Sequence, residues 1–113
     1  MIIAERTLRL VSGKHAGAIV TVRIHLPQKM ADHWACSYEI GWPEGTRISS
    51  GFGIDAVQAI TLALQKIGTE LYMSQHHHDR SLAFEEPGQG YGFPVPKPLR
   101  DILIGDDAAA DGI

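Results

Sequence analysis

Three consecutive histidines, His76 to His78, are the first residues in this sequence whose type and spacing suggest metal chemistry. Histidines that bind one metal ion lie two residues apart on a strand, or three to four apart on a helix. Only His76 and His78 meet the first spacing, and only if the segment is extended. The run is better explained as a solvated helix end, where histidine interacts favourably with the negative end of the helix dipole. The sequence therefore predicts no metal site.

Cys36, the single cysteine, is the strongest candidate nucleophile by residue type. A reactive thiol needs a polar, activating environment with a base beside it. Cys36 instead alternates with Trp34 and Tyr38 on the predicted core face of a strand, which indicates a buried and inert thiol. No serine lies in a nucleophile-elbow motif. The sequence identifies no catalytic residue, so catalysis stays open but is not favoured.

Two glycines, Gly51 and Gly53, stand before a predicted helix, where a phosphate-binding loop would lie. The segment lacks the lysine of a P-loop and the spacing of a dinucleotide-binding loop. Asp55 at the helix start would also repel a phosphate placed there. The glycines are expected to let the strand turn into the helix, and no cofactor is predicted.

Polar side chains alternate with apolar ones along the predicted strands, so they should share the outward face of one sheet. The set consists of Arg9, Thr21, Arg23, His25, Ser37, Glu39, Arg47 and Ser49. Such a face can simply be solvated, or it can recognise a protein or a small anionic ligand, because arginine favours carboxylate and phosphate partners. The candidate binding residues on this face are Arg23, His25, Glu39 and Arg47.

The strands that would position this polar face occupy the first half of the chain. They cover about 2–11, 18–26, 34–42 and 46–53. Apolar and polar residues alternate most regularly from Val20 to Leu26, which is the pattern of a half-buried strand. In the fourth strand, Ile48 and Phe52 are expected to point inward. Short turns between the strands favour an antiparallel four-stranded meander, since parallel pairing would require long crossovers.

One long helix is predicted at about 55–75. Asp55 can cap it, and Gln58 follows at the capping-box spacing, which satisfies two backbone N–H groups at the helix start. Gly68 costs about 1 kcal/mol relative to alanine inside a helix, so it indicates a close backbone approach or a bend. The apolar stripe consists of Val57, Ile60, Leu64, Ile67 and Leu71, widened by Ala56 and Ala63.

The helix is expected to cover the apolar face of the sheet, which makes the fold class α+β. The predicted core consists of Val22, Ile24, Tyr38, Ile40, Ile60, Leu64, Ile67 and Leu71. Residues 1–76 would form the sheet-plus-helix core of a single domain, and residues 77–113 an extended C-terminal arm rich in proline and glycine. The apolar residues of the arm should pack on the far side of the helix, near Leu62 and Met73, or on a sheet edge. They could do so within one chain or in a homodimer.

Composition excludes several classes of partner. The chain has 113 residues and a net charge of −3, with 10 basic and 13 acidic residues that are well mixed. Nucleic-acid-binding proteins usually carry a basic stripe, so no nucleic acid is expected as a partner. Charge appears too early for a signal peptide, and no apolar stretch is long enough to span a membrane. A soluble, cytoplasmic protein is expected.

The strand-to-helix junction carries a family resemblance. From Gly53 to Leu64 the sequence reads Gly-Ile-Asp-Ala-Val-Gln-Ala-Ile-Thr-Leu-Ala-Leu. It resembles uncharacterised small bacterial α+β proteins in which a strand meander ending in Gly-x-Asp leads into a leucine-rich helix containing Gln-Ala. It is also similar to some predicted immunity proteins of polymorphic toxin systems. The resemblance covers about residues 1–75; it implies a fold and a bacterial origin, and it brings no catalytic residues.

Two functional hypotheses follow from these observations. The first is a non-catalytic module that binds an unknown protein partner, for example a toxin that it neutralises. The second is a small enzyme or ligand-binding domain whose site lies between the polar sheet face and the C-terminal arm. A shallow surface would favour the first hypothesis, and a deep pocket with convergent polar groups would favour the second.

Overall fold

The computed structural model describes residues 1–110, and in this range the chain forms an antiparallel sheet of six strands with one long helix on one face. The strands are β1 (Ile2–Leu10), β2 (Ile19–His25), β3 (Gln28–Lys29), β4 (Trp34–Trp42), β5 (Gly45–Gly53) and β6 (Leu82–Ala83). The helices are α1 (Ala56–Met73), α2 (Gln75–His78) and α3 (Gly105–Ala109), with a 3₁₀ helix at Lys97–Ile102. The predicted α+β class is confirmed. No helix in the described residues is long and apolar enough to cross a membrane.

The four long strands pair in chain order, with β1 on β2, β2 on β4 and β4 on β5. The prediction of four strands was nevertheless incomplete. The strand β3 pairs with the start of β4, and β6 pairs with the end of β1. Each of these strands has two residues, which is too short to show the period-two alternation from which strands are predicted.

The face assignment predicted for β5 was wrong. Ser49 lies opposite Tyr38 and Arg47 lies opposite Ile40. Cross-strand partners share a face of the sheet, so both polar residues lie on the side covered by α1. By the same alternation, Ile48 and Phe52 lie on the outward face, where both are exposed.

The close approach of α1 to β5 explains this orientation. A Cβ atom added to Gly51 would lie 2.3 Å from the backbone nitrogen of Ala63. Only a residue without a side chain fits beneath the helix there, so Gly51 must point inward. Because side chains alternate along a strand, its neighbours Ser50 and Phe52 then point outward. Steric contact with the helix outweighs the hydrophobicity of the strand residues.

The helix α1 begins as predicted. Asp55 Oδ1 accepts a hydrogen bond of 2.8 Å from the backbone nitrogen of Gln58. The backbone nitrogen of Ile54, one residue before the cap, donates to Gln58 Oε1 at 2.7 Å. The helix ends at Met73, within the predicted range, because Ser74 is extended and caps the separate helix α2.

The buried face of α1 is rotated from the predicted stripe. Its buried residues are Ala59, Ala63, Ile67, Gly68, Leu71 and Tyr72. Val57 is 72% exposed, and Ile60 and Leu64 are only partly buried. The other six residues of the predicted core are buried. Two alanines take the central positions because the helix backbone lies so close to β5.

The C-terminal arm packs into the core of its own chain. Tyr91, Phe93 and Val95 are buried among core residues. A Cβ atom at Gly68 would lie 2.0 Å from the carbonyl oxygen of Pro94, which confirms the predicted close approach at this glycine. Residues 111–113 of the predicted arm lie outside the described residues.

The far side of α1, one of the two positions predicted for the arm, is not covered, whereas β6 of the arm pairs with the sheet edge at β1, which is the other. Leu62 and Met73 both remain exposed. Asp107 stabilises the conformation of the arm, because its carboxylate accepts hydrogen bonds of 2.8 Å from the backbone nitrogens of Tyr91 and Gly92. The Tyr72 hydroxyl donates to the same carboxylate at 2.5 Å.

Candidate functional site

Three of the four predicted binding residues share the outward face of the sheet. Arg23 Nε donates to Glu5 Oε2 at 2.9 Å. His25 Nε2 and Glu39 Oε2 are 2.6 Å apart. All three side chains therefore already have partners within the sheet, and the exposed Arg23–Glu5 ion pair contributes little to stability. The geometry describes a solvated polar face more closely than an open recognition site.

Arg47, the fourth predicted binding residue, lies on the other face of the sheet. Its Nε atom donates to Glu70 Oε1 of α1 at 2.7 Å, and the Tyr38 hydroxyl donates to the other oxygen of Glu70. Burial, followed by the hydrogen bond to Glu70, raises the pKa of Tyr38 to about 12. Arg47 thus joins β5 to α1 and does not complete a cluster with Arg23.

The C-terminal arm does not face the outward sheet surface. Arg6 Nη1 donates to the carbonyl oxygens of Tyr91 and Gly92, both at 3.0 Å. Its guanidinium also lies over the rings of Phe84 and Phe93. Arg6 pairs with buried Val22 across the sheet, so the arm lies on the α1 side. A site between the polar outward face and the arm is therefore not assembled.

A cavity lies at the end of the sheet where β4 turns into β5. It has a volume of about 700 Å³ and is lined by Ser12, Gly13, Lys14, His15, Trp42, Glu44, Ser74, Gln75, His76, Asp79 and Ser81. His76 Nε2 lies 2.9 and 3.0 Å from the two oxygens of Glu44, and His15 Nε2 lies 3.6 Å from one of them. The hydrogen bond with His76 lowers the pKa of Glu44. The polar groups of this cavity largely satisfy each other.

The three consecutive histidines diverge because they lie on the helical turn α2. His76 reaches Glu44, His77 Nδ1 lies 2.5 Å from the Tyr91 hydroxyl, and His78 is exposed. Burial, with a smaller effect of His78, lowers the pKa of His77. Within residues 1–110, no three His, Cys, Asp or Glu side chains are placed to hold a metal ion. Cys36 is buried, and burial raises the pKa of its thiol.

The open edge of β5 is the feature that sequence reasoning missed. In the described part of the chain, β5 pairs with β4 on one side and with no strand on the other. Its nine residues run without a register shift, contain no proline, and carry one charged side chain, Arg47. Long edge strands are usually protected by lysine, proline, bulges or a covering segment. The absence of lysine and proline from Gly45 to Gly53 was a signal that the sequence already offered.

The turn between β4 and β5 determines which backbone groups face this edge. Two residues, Pro43 and Glu44, connect the strands, so the flanking pair Trp42 and Gly45 exchanges backbone hydrogen bonds. Hydrogen-bonded and non-hydrogen-bonded pairs alternate from there along an antiparallel ladder. The N–H and C=O groups that face the open edge therefore belong to Thr46, Ile48, Ser50 and Phe52.

A groove of about 430 Å³ runs between this edge and the outer side of α1. It is lined by Arg47, Ser50, Gly51, Phe52, Leu62, Gln65, Lys66, Thr69, Glu70 and Pro96. The apolar side chains at the edge are accessible, with Ile48 65%, Phe52 55% and Leu62 37% exposed. An extended segment beside β5 could place alternate side chains in this groove and against Ile48 and Phe52.

Together, the fold and the open edge define a small α+β domain in which a long strand is available for pairing beside a groove. The chain belongs to the family described as a domain of unknown function, DUF6968, whose model matches residues 4–95. This confirms the expectation of an uncharacterised domain family. The match includes α1 and β5 and ends before the 3₁₀ helix. No curated protein and no solved structure matches the chain.

Proposed function

We propose that this protein is a non-catalytic protein-binding module that pairs an extended segment of a partner protein with β5. The observation that carries the proposal is the open nine-residue edge of β5, with exposed Ile48 and Phe52 on one side and the groove on the other. Strand addition to a sheet edge draws affinity from backbone hydrogen bonds. It draws specificity from pockets for alternate side chains. Both elements are present at this edge.

The edge is also suited to binding because it needs little rearrangement. The register of β5 on β4 is continuous over nine pairs, and α1 holds the strand from one face through contact at Gly51. A rigid strand loses little conformational entropy when a partner docks. The four residues whose backbone groups face the edge are already extended, so a partner segment alone must become ordered.

The partner class is proposed from the resemblance at Gly53–Leu64. We infer a bacterial, cytoplasmic protein that neutralises a toxin by covering it with this edge. A toxin gene beside the gene for this chain would support the inference. Co-expression of the two proteins should then restore growth, and an edge variant such as Ile48→Asp should fail to do so.

Site-directed photo-crosslinking tests the proposed edge. A photoreactive side chain replaces Ile48 on β5 or, as a matched control, Ile19 on the outward face of β2. The two residues are equally exposed, at 65% and 64%, but Ile19 lies away from the open edge. We expect a discrete crosslinked protein from position 48 in the native host, and none from position 19.

Crosslinking of equal strength from both positions would contradict a role for the edge. A crosslinked product containing two copies of this chain would identify the edge as a homodimer interface instead. The crosslinked peptide of the partner, identified by mass spectrometry, should map to an extended segment.

A further inference from the structure

Lys66 of α1 reaches over the open edge of β5. Its Nζ atom donates to the Ser50 carbonyl oxygen at 2.7 Å and lies 3.0 Å from Ser49 Oγ. Among the ion pairs of residues 1–110, none joins Lys66 to a carboxylate. Arg47, by contrast, is neutralised by Glu70. Lys66 is therefore an ammonium group held at the edge by neutral acceptors.

The carbonyl that Lys66 occupies is one that strand pairing requires. Ser50 is among the residues whose backbone groups face the edge, and an incoming strand would need this oxygen as an acceptor. An incoming strand must therefore share the Ser50 oxygen with Lys66, since a carbonyl oxygen can accept two hydrogen bonds, or compete for it. In both cases the ammonium group is stabilised if the strand supplies an anionic acceptor nearby, because hydrogen bonds between ionised groups are about twice as strong as neutral ones.

We propose, resting on the proposed function, that the segment recognised by β5 is acidic and places an Asp or Glu opposite Ser49. A residue at that position shares the α1 side of the sheet with Ser49, since cross-strand partners point to the same face. Its carboxylate would lie where Lys66 Nζ now contacts Ser49 Oγ. Lys66 then acts as a specificity residue, which favours an acidic strand over a neutral one.

The same charge argues against a second copy of this chain as the occupant. The strand β5 contains no acidic residue, so it cannot supply a carboxylate to Lys66 of its partner. In an antiparallel pair centred on Ser49, both Lys66 side chains would meet near the two-fold axis. Like charges placed together are destabilising, whereas an acidic segment from another protein relieves the unpaired charge.

Selection from a phage-displayed library of random nonapeptides tests the proposal with purified protein. Parallel selections use the wild type, Lys66→Glu, Lys66→Gln, and Lys29→Glu as a control on an exposed lysine of β3. We expect Asp and Glu to be enriched at one position with the wild type and with Lys29→Glu. Enrichment should change to Lys and Arg with Lys66→Glu, and disappear with Lys66→Gln.

Binding of the selected peptides gives the quantitative result. Replacing the selected Glu by Gln should weaken binding to the wild type roughly tenfold at low salt. The difference should shrink as salt is raised, because exposed charges are screened. Circular dichroism of each variant confirms that the fold is retained.

The outcomes separate this inference from the proposed function. Peptides that bind at the edge and are lost with Ile48→Asp, but show no acidic preference, would overturn the role of Lys66 and leave strand pairing intact. Failure to select any peptide that depends on Ile48 would overturn both. Concentration-dependent dimers that dissociate with Ile48→Asp would show that a second copy occupies the edge.

Discussion

Individual glycines allow the layers of this protein to approach each other closely, and Gly68 of α1 is the clearest example. Glycine in a helix interior is unfavourable relative to alanine by about 1 kcal/mol, so on propensity alone an alanine at this position would be stabilising. The carbonyl of Pro94 lies where the alanine methyl group would be, at 2.0 Å. The contact is with backbone, which cannot move aside as a flexible side chain does. Packing therefore outweighs propensity.

We expect Gly68→Ala to destabilise the protein by about 1–3 kcal/mol, the usual cost of overpacking. The strain should loosen the arm at Pro94, so limited proteolysis should cut it faster. Denaturant unfolding and proteolysis provide the measurements. Gly41→Ala is the control, because a Cβ atom there would meet its nearest atom at an ordinary 3.5 Å. Equal stability of both variants would show that the arm does not press on α1.

At the scale of elements, the sequence predicted what local patterns encode. The Asp55 cap and the alternation of β2 and β4 follow from residues near each other in the chain. The close approach at Gly68 was signalled by an unfavourable glycine inside a helix, although its partner, Pro94, lies far away in the chain. The face of β5 and the rotation of α1 do not, because both depend on the contact of Gly51 with Ala63 across two elements. Hydrophobicity favoured Ile48 and Phe52 as inward residues, and tertiary packing overrode it.

The same limit explains the outcome for the candidate site. Arg23, His25 and Glu39 were placed on one face correctly because their strands alternate regularly. Arg47 was misplaced with the rest of β5. The open edge could be predicted only from the absence of protecting residues in that strand. This absence indicates an open edge only once β5 is known to lie at the side of the sheet.

The rotation of α1 predicts an order of side-chain contributions. Ile67 is fully buried against the core, whereas Leu64 is only partly buried. Truncation of Ile67 to alanine should therefore cost about 2–5 kcal/mol, the range for buried aliphatic residues, and Leu64→Ala clearly less. Val57→Ala is the control, since Val57 is largely exposed. Chemical denaturation of the three variants measures this order. A larger loss of unfolding free energy for Leu64→Ala than for Ile67→Ala would support the buried helix face predicted from the sequence.

Considered as a whole, the molecule buries all three of its tyrosines. Tyr38, Tyr72 and Tyr91 lie in one core, although they come from the sheet, the helix and the arm. Burial is the largest cause that raises the pKa of each hydroxyl. Contact with Glu70 adds to this effect at Tyr38, and contact with Asp107 adds at Tyr72. Because one tyrosine lies in each of the sheet, the helix and the arm, ionisation of the three hydroxyls measures whether all three parts of the core are folded.

A folded-state pKa above the ordinary value means that stability is fully present below pH 10 and is lost as the pH rises above it, since the unfolded chain releases its tyrosine protons first. Each tyrosine should lower the free energy of unfolding by about 1.4 kcal/mol per pH unit from roughly pH 10 upward.

We expect no tyrosinate absorbance from the native protein near pH 10, and a single cooperative rise together with unfolding at higher pH. In denaturant, the same absorbance should titrate at the ordinary value. Tyr38→Phe should reduce the slope by about one third. A native protein that titrates one tyrosine near pH 10 would show that the sheet, helix or arm bearing it is open to solvent.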